Sequence, residues 1–296
     1  MTTKCGFIAI VGRPNVGKST LINNIIGQKI SITTRKPQTT RNNILGVKTV
    51  GDEQLVFVDT PGMHVNEPRN LNRTMNKTAA SALRDVDAVA FVVECNRWND
   101  DDELVLEKVK KKNCPIILLL NKVDKIANKG DVLTFISLMQ EKLNFHSIIP
   151  ISAVKGTQVD RFLTLLSEII PESPHYFEKE QITDKNLSFQ IQELIREKLF
   201  ICLGDELPYS LTVIVEKIED TEKLLRVNAL IMIERAGQKK IVVGAKGENL
   251  KKVGTQSRME LENILGKKVY IGLWVKVKDN WADNDKLLKQ FGISDI

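Results

Sequence analysis

The sequence predicts an α/β protein with a mostly parallel sheet, followed by a smaller α+β domain. Three features carry that prediction. Short apolar runs alternate with helix-length segments from residue 6 to residue 170. The first of these runs, Phe7-Ile-Ala-Ile-Val11, passes directly into the loop Gly12-Arg-Pro-Asn-Val-Gly-Lys-Ser19. After Pro171-Glu-Ser-Pro174 the alternation stops, and a helix followed by two consecutive strand patterns takes its place.

In the first half the strand candidates are 6–11, 44–50, 54–59, 87–94, 115–121 and 147–151, with helices near 18–27, 67–84, 101–112, 129–144 and 156–170. Strands alternating with helices of this length predict a parallel sheet covered on both faces. Only Gly51-Asp52-Glu53 separates the second run from the third, too short for a crossover, so these two form an antiparallel hairpin at an edge. The domain limits follow as 1–172 and 187–296, joined by a polar linker over 173–186.

In the second half the order is a helix over 187–203, strands over 210–218 and 224–234, a short helical or extended piece at 238–243, the turn Gly244-Ala-Lys-Gly247, a helix over 248–265 and a strand over 268–277. Leu250, Val253, Leu261, Ile264 and Leu265 form the apolar stripe that turns the long helix toward a sheet, and Lys251, Thr255 and Arg258 project elsewhere. In the last strand Val269, Ile271, Leu273, Val275 and Val277 share one face and Trp274 takes the other, where it either stacks on a ligand or packs.

With 296 residues, 42% hydrophobic and 27% charged, the chain has the composition of an ordinary globular protein. Its net charge of +6 is concentrated: residues 238–278 hold ten Lys/Arg against three Asp/Glu, a local excess of +7 that suits a polyanionic partner. The four cysteines, at 5, 95, 114 and 202, have neither zinc-ligand nor disulfide spacing, which fits reduced thiols in the cytoplasm. No apolar run reaches the ~18 residues of a membrane span, and the apolar run at 7–11 lacks a signal-peptide cleavage site.

Glycines at 12 and 17 let the main chain of the first loop curl so that its N–H groups, with the N-terminus of the next helix, face phosphate oxygens. Lys18 is placed to bridge the β- and γ-phosphates, and Ser19 to bind Mg2+. Asp59-Thr60-Pro61-Gly62 ends a central strand; its Asp suits Mg2+ through a water and the Gly62 N–H the γ-phosphate. Between them, residues 31–42 are the candidate switch loop, with Thr40 expected to complete the metal shell and Thr39 as the alternative. Asn121-Lys122-Val123-Asp124 follows an apolar strand and selects guanine, whose N1–H and N2–H2 donors meet one carboxylate. Ser152 and Ala153 support the base, the Ala153 N–H being expected to donate to guanine O6.

These four elements, in this order, resemble those of the Ras-like superfamily of translation-factor-class GTPases, and the fuller strings Gly-Arg-Pro-Asn-Val-Gly-Lys-Ser-Thr, Lys-Pro-Gln-Thr-Thr-Arg and Val-Asp-Thr-Pro-Gly are similar to those of the bacterial Era-type family. The likeness extends past the linker through Ile-Arg-Glu-Lys-Leu, Gly-Gln-Lys-Lys and Leu-Trp-Val-Lys-Val-Lys. It implies a Ras-like P-loop GTPase domain followed by a KH-type domain, and a GTP contact set of Gly12, Arg13, Pro14, Asn15, Val16, Gly17, Lys18, Ser19, Thr20, Thr39, Thr40, Asp59, Thr60, Pro61, Gly62, Met63, Asn121, Lys122, Val123, Asp124, Ser152 and Ala153. Ser19, Thr40 and Asp59 are the expected metal ligands, and Asn15, Lys18, Thr40 and Gly62 the expected catalytic group.

Ras-like enzymes orient the attacking water with a Gln after the Asp-x-x-Gly turn, and here that residue is Met63, whose thioether is too weak a hydrogen-bonding group. Slow intrinsic turnover is expected. Asn15 either coordinates K+ in place of an arginine finger, as its position resembles that in potassium-activated relatives, or only shapes the loop. His64 reads as a bystander. In the second domain the Gly-x-x-Gly turn before a basic helix is the pattern of a KH backbone clamp, so Gly244, Ala245, Lys246, Gly247, Lys251 and Arg258 are the candidate RNA contacts. The resemblance implies single-stranded RNA near the 3′ end of 16S ribosomal RNA as target, a role in maturation of the 30S subunit, and nucleotide control of RNA engagement. A monomer is expected, and DNA is not. The rival reading is a GTPase whose basic domain docks peripherally on anionic lipid at the inner membrane, although no lipidation motif is present.

Overall fold

The computed structural model describes residues 2–34, 36, 39–64, 69–203, 211–291 and 293. They divide into two compact units, one of Met1–Ser31, Thr40–Pro68 and Asn72–Asp184, the other of Ile32–Thr39, Arg69–Leu71 and Lys185–Ile296.

The first unit runs β1 (Lys4–Val11), α1 (Lys18–Ile26), β2 (Ile44–Val50), β3 (Glu53–Asp59), α2 (Asn70–Ser81, whose first two residues group with the second unit), β4 (Ala88–Glu94), α3 (Asp100–Val109), β5 (Ile116–Asn121), α4 (Lys129–Lys142), β6 (Ser147–Pro150) and α5 (Val159–Ile169). Its six-stranded sheet has the order β2-β3-β1-β4-β5-β6. All neighbours are parallel except β2 and β3, the expected edge hairpin. β4 and β5 are buried almost throughout, which is why they read as continuous apolar runs rather than alternating ones. The parallel order brings the carboxyl ends of β1, β3 and β5 to one edge of the sheet, where an open α/β sheet binds its ligand.

The polar stretch expected as a linker is bound to the first unit for most of its length. Gln54, fully buried on β3, accepts the N–H groups of Tyr176 and Phe177 at 2.9 and 3.0 Å. Beyond them Val47 donates to the Ile182 carbonyl at 2.9 Å and Leu45 to the Asp184 carboxylate at 2.9 Å. Residues 67 and 68 of the expected helix 67–84, position 210 of the expected strand 210–218, and positions 35, 37 and 38 of the loop 31–42 lie outside the described residues.

In the second unit α6 (Leu187–Cys202) precedes β7 (Leu211–Asp220), β8 (Leu224–Ile233), α7 (Ala236–Val243), α8 (Glu248–Leu265), β9 (Lys268–Val277) and α9 (Asp285–Gln290). The piece expected at 238–243 is thus a helix, begun two residues earlier. The sheet order is β7-β8-β9, with β7 and β8 antiparallel and β8 and β9 parallel. One sheet face packs with α6 and α8 in a core that includes Ile195, Leu199, Val227, Ile231, Val253, Leu261 and Val269. Ile264 does not join this core and is 57% exposed, because it lies off the buried line of α8 through Val253, Ser257 and Leu261, while Leu265 beside it packs against the core.

Ser257 is fully buried in that line, and its hydroxyl has no hydrogen-bond partner among the described residues. An unsatisfied buried hydroxyl costs about 1–3 kcal/mol, and alanine is the better helix former. Ser257→Ala is therefore expected to stabilise the protein by about 1 kcal/mol, read as a higher urea midpoint at unchanged m-value. A lower midpoint would show that the hydroxyl is satisfied.

Candidate functional site

The loop from β1 to α1 is shaped by its glycines. Gly12 and Gly17 have φ of 154° and 102°, and a Cβ at Gly17 would lie 2.3 Å from the Asn121 amide. No side chain caps the start of α1, so its first N–H groups remain available to an anion. Lys18 lies beneath them, its Nζ donating to the carbonyls of Gly12 and Arg13 at 2.9 Å each. Burial lowers its pKa to about 8, with the nearby Asp59 carboxylate only partly offsetting that effect.

Hydroxyls and one carboxylate converge beside the loop. Ser19 Oγ donates to Asp59 Oδ2 at 2.8 Å and lies 2.9 Å from Thr40 Oγ1. Ser31, missed at the level of sequence, also donates to Asp59 Oδ2, at 2.8 Å. Asp59 Oδ1 is buried without a hydrogen-bond partner among the described residues, and burial raises the carboxyl's pKa against the opposing effects of Lys18 and the two serines. A hard, oxygen-only set with an unpaired buried acceptor fits Mg2+. Thr39, the alternative switch threonine, turns away: its hydroxyl bonds Thr34 and the Lys36 carbonyl, and its own carbonyl accepts from Arg196 on α6. Thr40 holds the position beside Ser19.

Gly62 packs so closely on the phosphate loop that a Cβ would stand 2.6 Å from the Pro14 nitrogen. The side chains of Met63, Thr60 and Arg13, all in the expected nucleotide set, are engaged within the protein. Met63 is fully buried in the core between the sheet and the helices, the Thr60 hydroxyl donates to the Ile10 carbonyl at 2.8 Å, and the Arg13 guanidinium pairs with Asp102 at 2.9 Å and Glu94 at 3.2 Å. Glu94 also binds Lys122 at 2.9 Å; burial pushes the carboxyl up, but Lys122 and Arg13 together hold it below its usual range. Glu94 and Asp102 were not anticipated, and the only local sign was the Asn99-x-x-Asp102 capping box at the start of α3.

Asn121 ends β5 and is buried. Its Nδ2 donates to the Val16 carbonyl at 2.7 Å, while its Oδ1 accepts from the N–H groups of Lys122 and Ala153 at 2.7 and 2.9 Å. The Ala153 N–H, expected at guanine O6, thus lies beside the Asn121 carboxamide. Val123 donates its N–H to Ile151. Asp124 stays exposed and is steadied by the Ser152 hydroxyl at 2.6 Å, which leaves a second carboxylate oxygen for a base edge. Pro14 and Asn15 complete the loop, with Asn15 exposed at φ 63°, and Thr20 lies in the first turn of α1.

In the second unit Gly244, Lys246 and Gly247 have positive φ of 76°, 50° and 83°. At Gly244 a Cβ would meet the Asn249 backbone at 2.9 Å, so the turn needs glycine there, while Ala245 and Lys246 are exposed. The turn opens α8, and beside it runs a groove of about 380 Å3 lined by Leu250, Lys251, Gly254, Thr255 and Arg258 of α8 and by Tyr270, Ile271 and Leu273 of β9. All of Lys251, Arg258 and the turn were anticipated; the β9 wall was not. β9 is a sheet edge, so its backbone groups are available to whatever lies in the groove. Among the described residues no helix is long and apolar enough to cross a membrane.

A P-loop, a hydroxyl–carboxylate metal set and an Asn-Lys-x-Asp turn on one parallel sheet, with a Gly-x-x-Gly unit after it, define a Ras-like GTPase carrying a KH domain. Residues 7–122 match a family described as 50S ribosome-binding GTPase, and residues 206–282 match the KH domain. Over 99% of its length the chain is 52% identical to GTPase Era of Marinobacter nauticus and 48% identical to GTPase Era of Pseudomonas aeruginosa, covering 96% of each. It belongs to the GTPase Era family, and its enzymatic activity is hydrolysis of GTP. Solved relatives agree in three dimensions. Era in complex with MgGDPNP and nucleotides 1506–1542 of 16S ribosomal RNA is 36% identical with a TM-score of 0.95 over 99% of both chains. An Era variant of Aquifex aeolicus bound to GDP and AlF4− has the same identity and score over 99% of this chain and all of that one.

Lys18 yields a pH prediction. At about pH 7 its ammonium is mostly charged, whereas at about pH 9 it is mostly neutral unless a phosphate restores the charge. Affinity for GDP with Mg2+ should thus fall over that interval, with proton uptake growing toward one per nucleotide, measured by calorimetry in buffers of different ionisation enthalpy. Constant affinity without proton uptake would contradict the burial argument.

Proposed function

We propose that this GTPase binds single-stranded RNA near the 3′ end of 16S ribosomal RNA through its Gly-x-x-Gly groove and assists maturation of the 30S subunit in the cytoplasm, as a monomer. The observation that carries the reading is the groove itself, a basic helix and an open strand edge behind a glycine turn, in a chain that resembles over its whole length an Era bound to that RNA. Small residues at 244, 245 and 247 admit a sugar–phosphate chain, and Lys246, Lys251 and Arg258 supply its counter-charge. The 50S wording of the matched family concerns residues 7–122 alone and does not bear on the RNA target. No feature of the structure favours the lipid reading.

The domains act as 1–172 and 187–296, and the nucleotide state sets how the RNA surface is presented. Ser19, Thr40 and Asp59 would hold Mg2+. When bound, the ion neutralises charge on the phosphates. Lys18 and the loop amides orient the triphosphate, Thr40 and Gly62 report the γ-phosphate, and Asp124 excludes adenine by offering an acceptor where adenine presents an acceptor nitrogen and no donor. Buried Met63 leaves the attacking water without a side chain to orient it, so turnover is slow. Asn15, exposed in the loop, would hold a K+ ion, whose charge would compensate for part of that loss.

Two measurements test this. Replacing Gly244 and Lys246 together by Asp should lower affinity for the 16S fragment at least ten-fold, of the order expected for lost phosphate contacts, at unchanged GTP turnover; unchanged RNA affinity would defeat the reading. Turnover should be faster in K+ than in Na+, and Asn15→Ala should abolish the difference. Equal rates in the two salts would remove the ion.

A further inference from the structure

The core of the second unit uses only one face of its sheet. On the other face the cross-strand neighbours are Arg226 and Tyr270, Asn228 and Gly272, and Leu230 and Trp274. Toward Leu230, Met232 and Thr212 this face is buried. Around Gly272 it is open: Tyr270 is 56% and Trp274 40% exposed, large values for such rings.

Gly272 lies between the two rings. A side chain begun there would meet Tyr270 at 3.7 Å and Trp274 at 3.8 Å, with Asn228 Oδ1 2.9 Å beneath it. The missing side chain therefore leaves a slot with an aromatic ring on each side and a carboxamide at its floor. That carboxamide makes no hydrogen bond to any described residue. Glycine is unfavourable in a strand interior unless something approaches closely. Exposed Arg226, Lys268 and Lys276 surround the slot; Lys217, across from Asn228, is paired with Glu219.

We infer that this slot is a second nucleobase site, outside the Gly-x-x-Gly groove, which takes one unpaired base of the same RNA. The inference rests on the RNA reading above. Every part of the slot suits a base. Rings stack on its faces, a side-chain amide supplies both a donor and an acceptor for its edge, and the flanking cations meet the phosphates on either side. Tyr270 also lines the groove, so the two sites are continuous across edge strand β9. A strand held in the groove reaches the slot by crossing that edge.

The test uses the full chain and an RNA of nucleotides 1506–1542 of 16S ribosomal RNA, the segment bound by the solved relative. Trp274→Ala should weaken binding roughly ten-fold, the range expected for one lost base stack. Trp274→Phe should retain most of the affinity. Gly272→Val fills the slot while keeping both rings and a residue suited to a strand, so it should weaken binding as much as Trp274→Ala. Wild-type affinity in both Trp274→Ala and Gly272→Val would overturn the slot while leaving the groove intact, and so would an equal loss in Trp274→Phe and Trp274→Ala, which would indicate packing. If Gly244→Asp with Lys246→Asp also binds like wild type, the RNA reading itself fails. A defect seen only on ribosomal particles, with free RNA bound normally, would assign the slot to a protein and overturn the base assignment.

Discussion

One buried carboxamide holds the nucleotide site together. Asn121 reaches from the end of β5 to the Val16 carbonyl in the phosphate loop and to the Ala153 amide after β6, so three separate loops share its two functional atoms. Gly17 is glycine partly because Asn121 occupies the space its Cβ would need. Removing the side chain would leave buried backbone groups unsatisfied in both loops, at about 1–3 kcal/mol each. It would also free the phosphate loop from the turn that carries Asp124. Affinity for the phosphates and choice of the base thus rest on the same amide.

Around that clasp the site concentrates charge that is incomplete in the polypeptide alone. Lys18 is buried enough to lower its pKa to about 8, and Asp59 keeps a buried oxygen without a partner. Neither is an economical way to build a stable core, since desolvated charge is costly unless paired. Both become sensible once an anionic phosphate meets Lys18 and a divalent cation meets Asp59. The remaining charges near the loop serve structure: Arg13, Glu94, Asp102 and Lys122 form a chain of ion pairs linking the phosphate loop to the ends of β4 and β5 and to the first turn of α3.

What the residues revealed in advance was whatever local spacing encodes. The P-loop, the Asn-Lys-x-Asp turn, the edge hairpin and the bounds of α8 and β9 each depend on a glycine, a motif or an alternation within a few positions. Direction was harder to read than position. Arg13, Thr60 and Met63 stand inside the motifs, yet their side chains face Asp102, the Ile10 carbonyl and the hydrophobic core. Ser31 and Glu94 became visible only through partners 28 residues distant. Thr40 was the expected switch threonine with Thr39 as the alternative, and it is the Thr40 hydroxyl that lies beside Ser19. The attachment of residues 173–184 to the first unit depends on Gln54, a buried polar residue in a strand, which composition alone marks as a loop.

The second unit places a glycine turn, a basic helix and an open strand edge together, with two exposed rings on the sheet face beyond that edge. The first unit places a phosphate loop and an Asn-Lys-x-Asp turn together as a guanine-nucleotide site. Titrating the purified protein, supplied with Mg2+, with GDP and with ADP in a calorimeter tests that claim most directly. Asp124 held by Ser152, on a turn fixed by Asn121, predicts tight binding of GDP and no measurable heat from ADP. Equal affinity for the two, or binding of neither, would contradict the account.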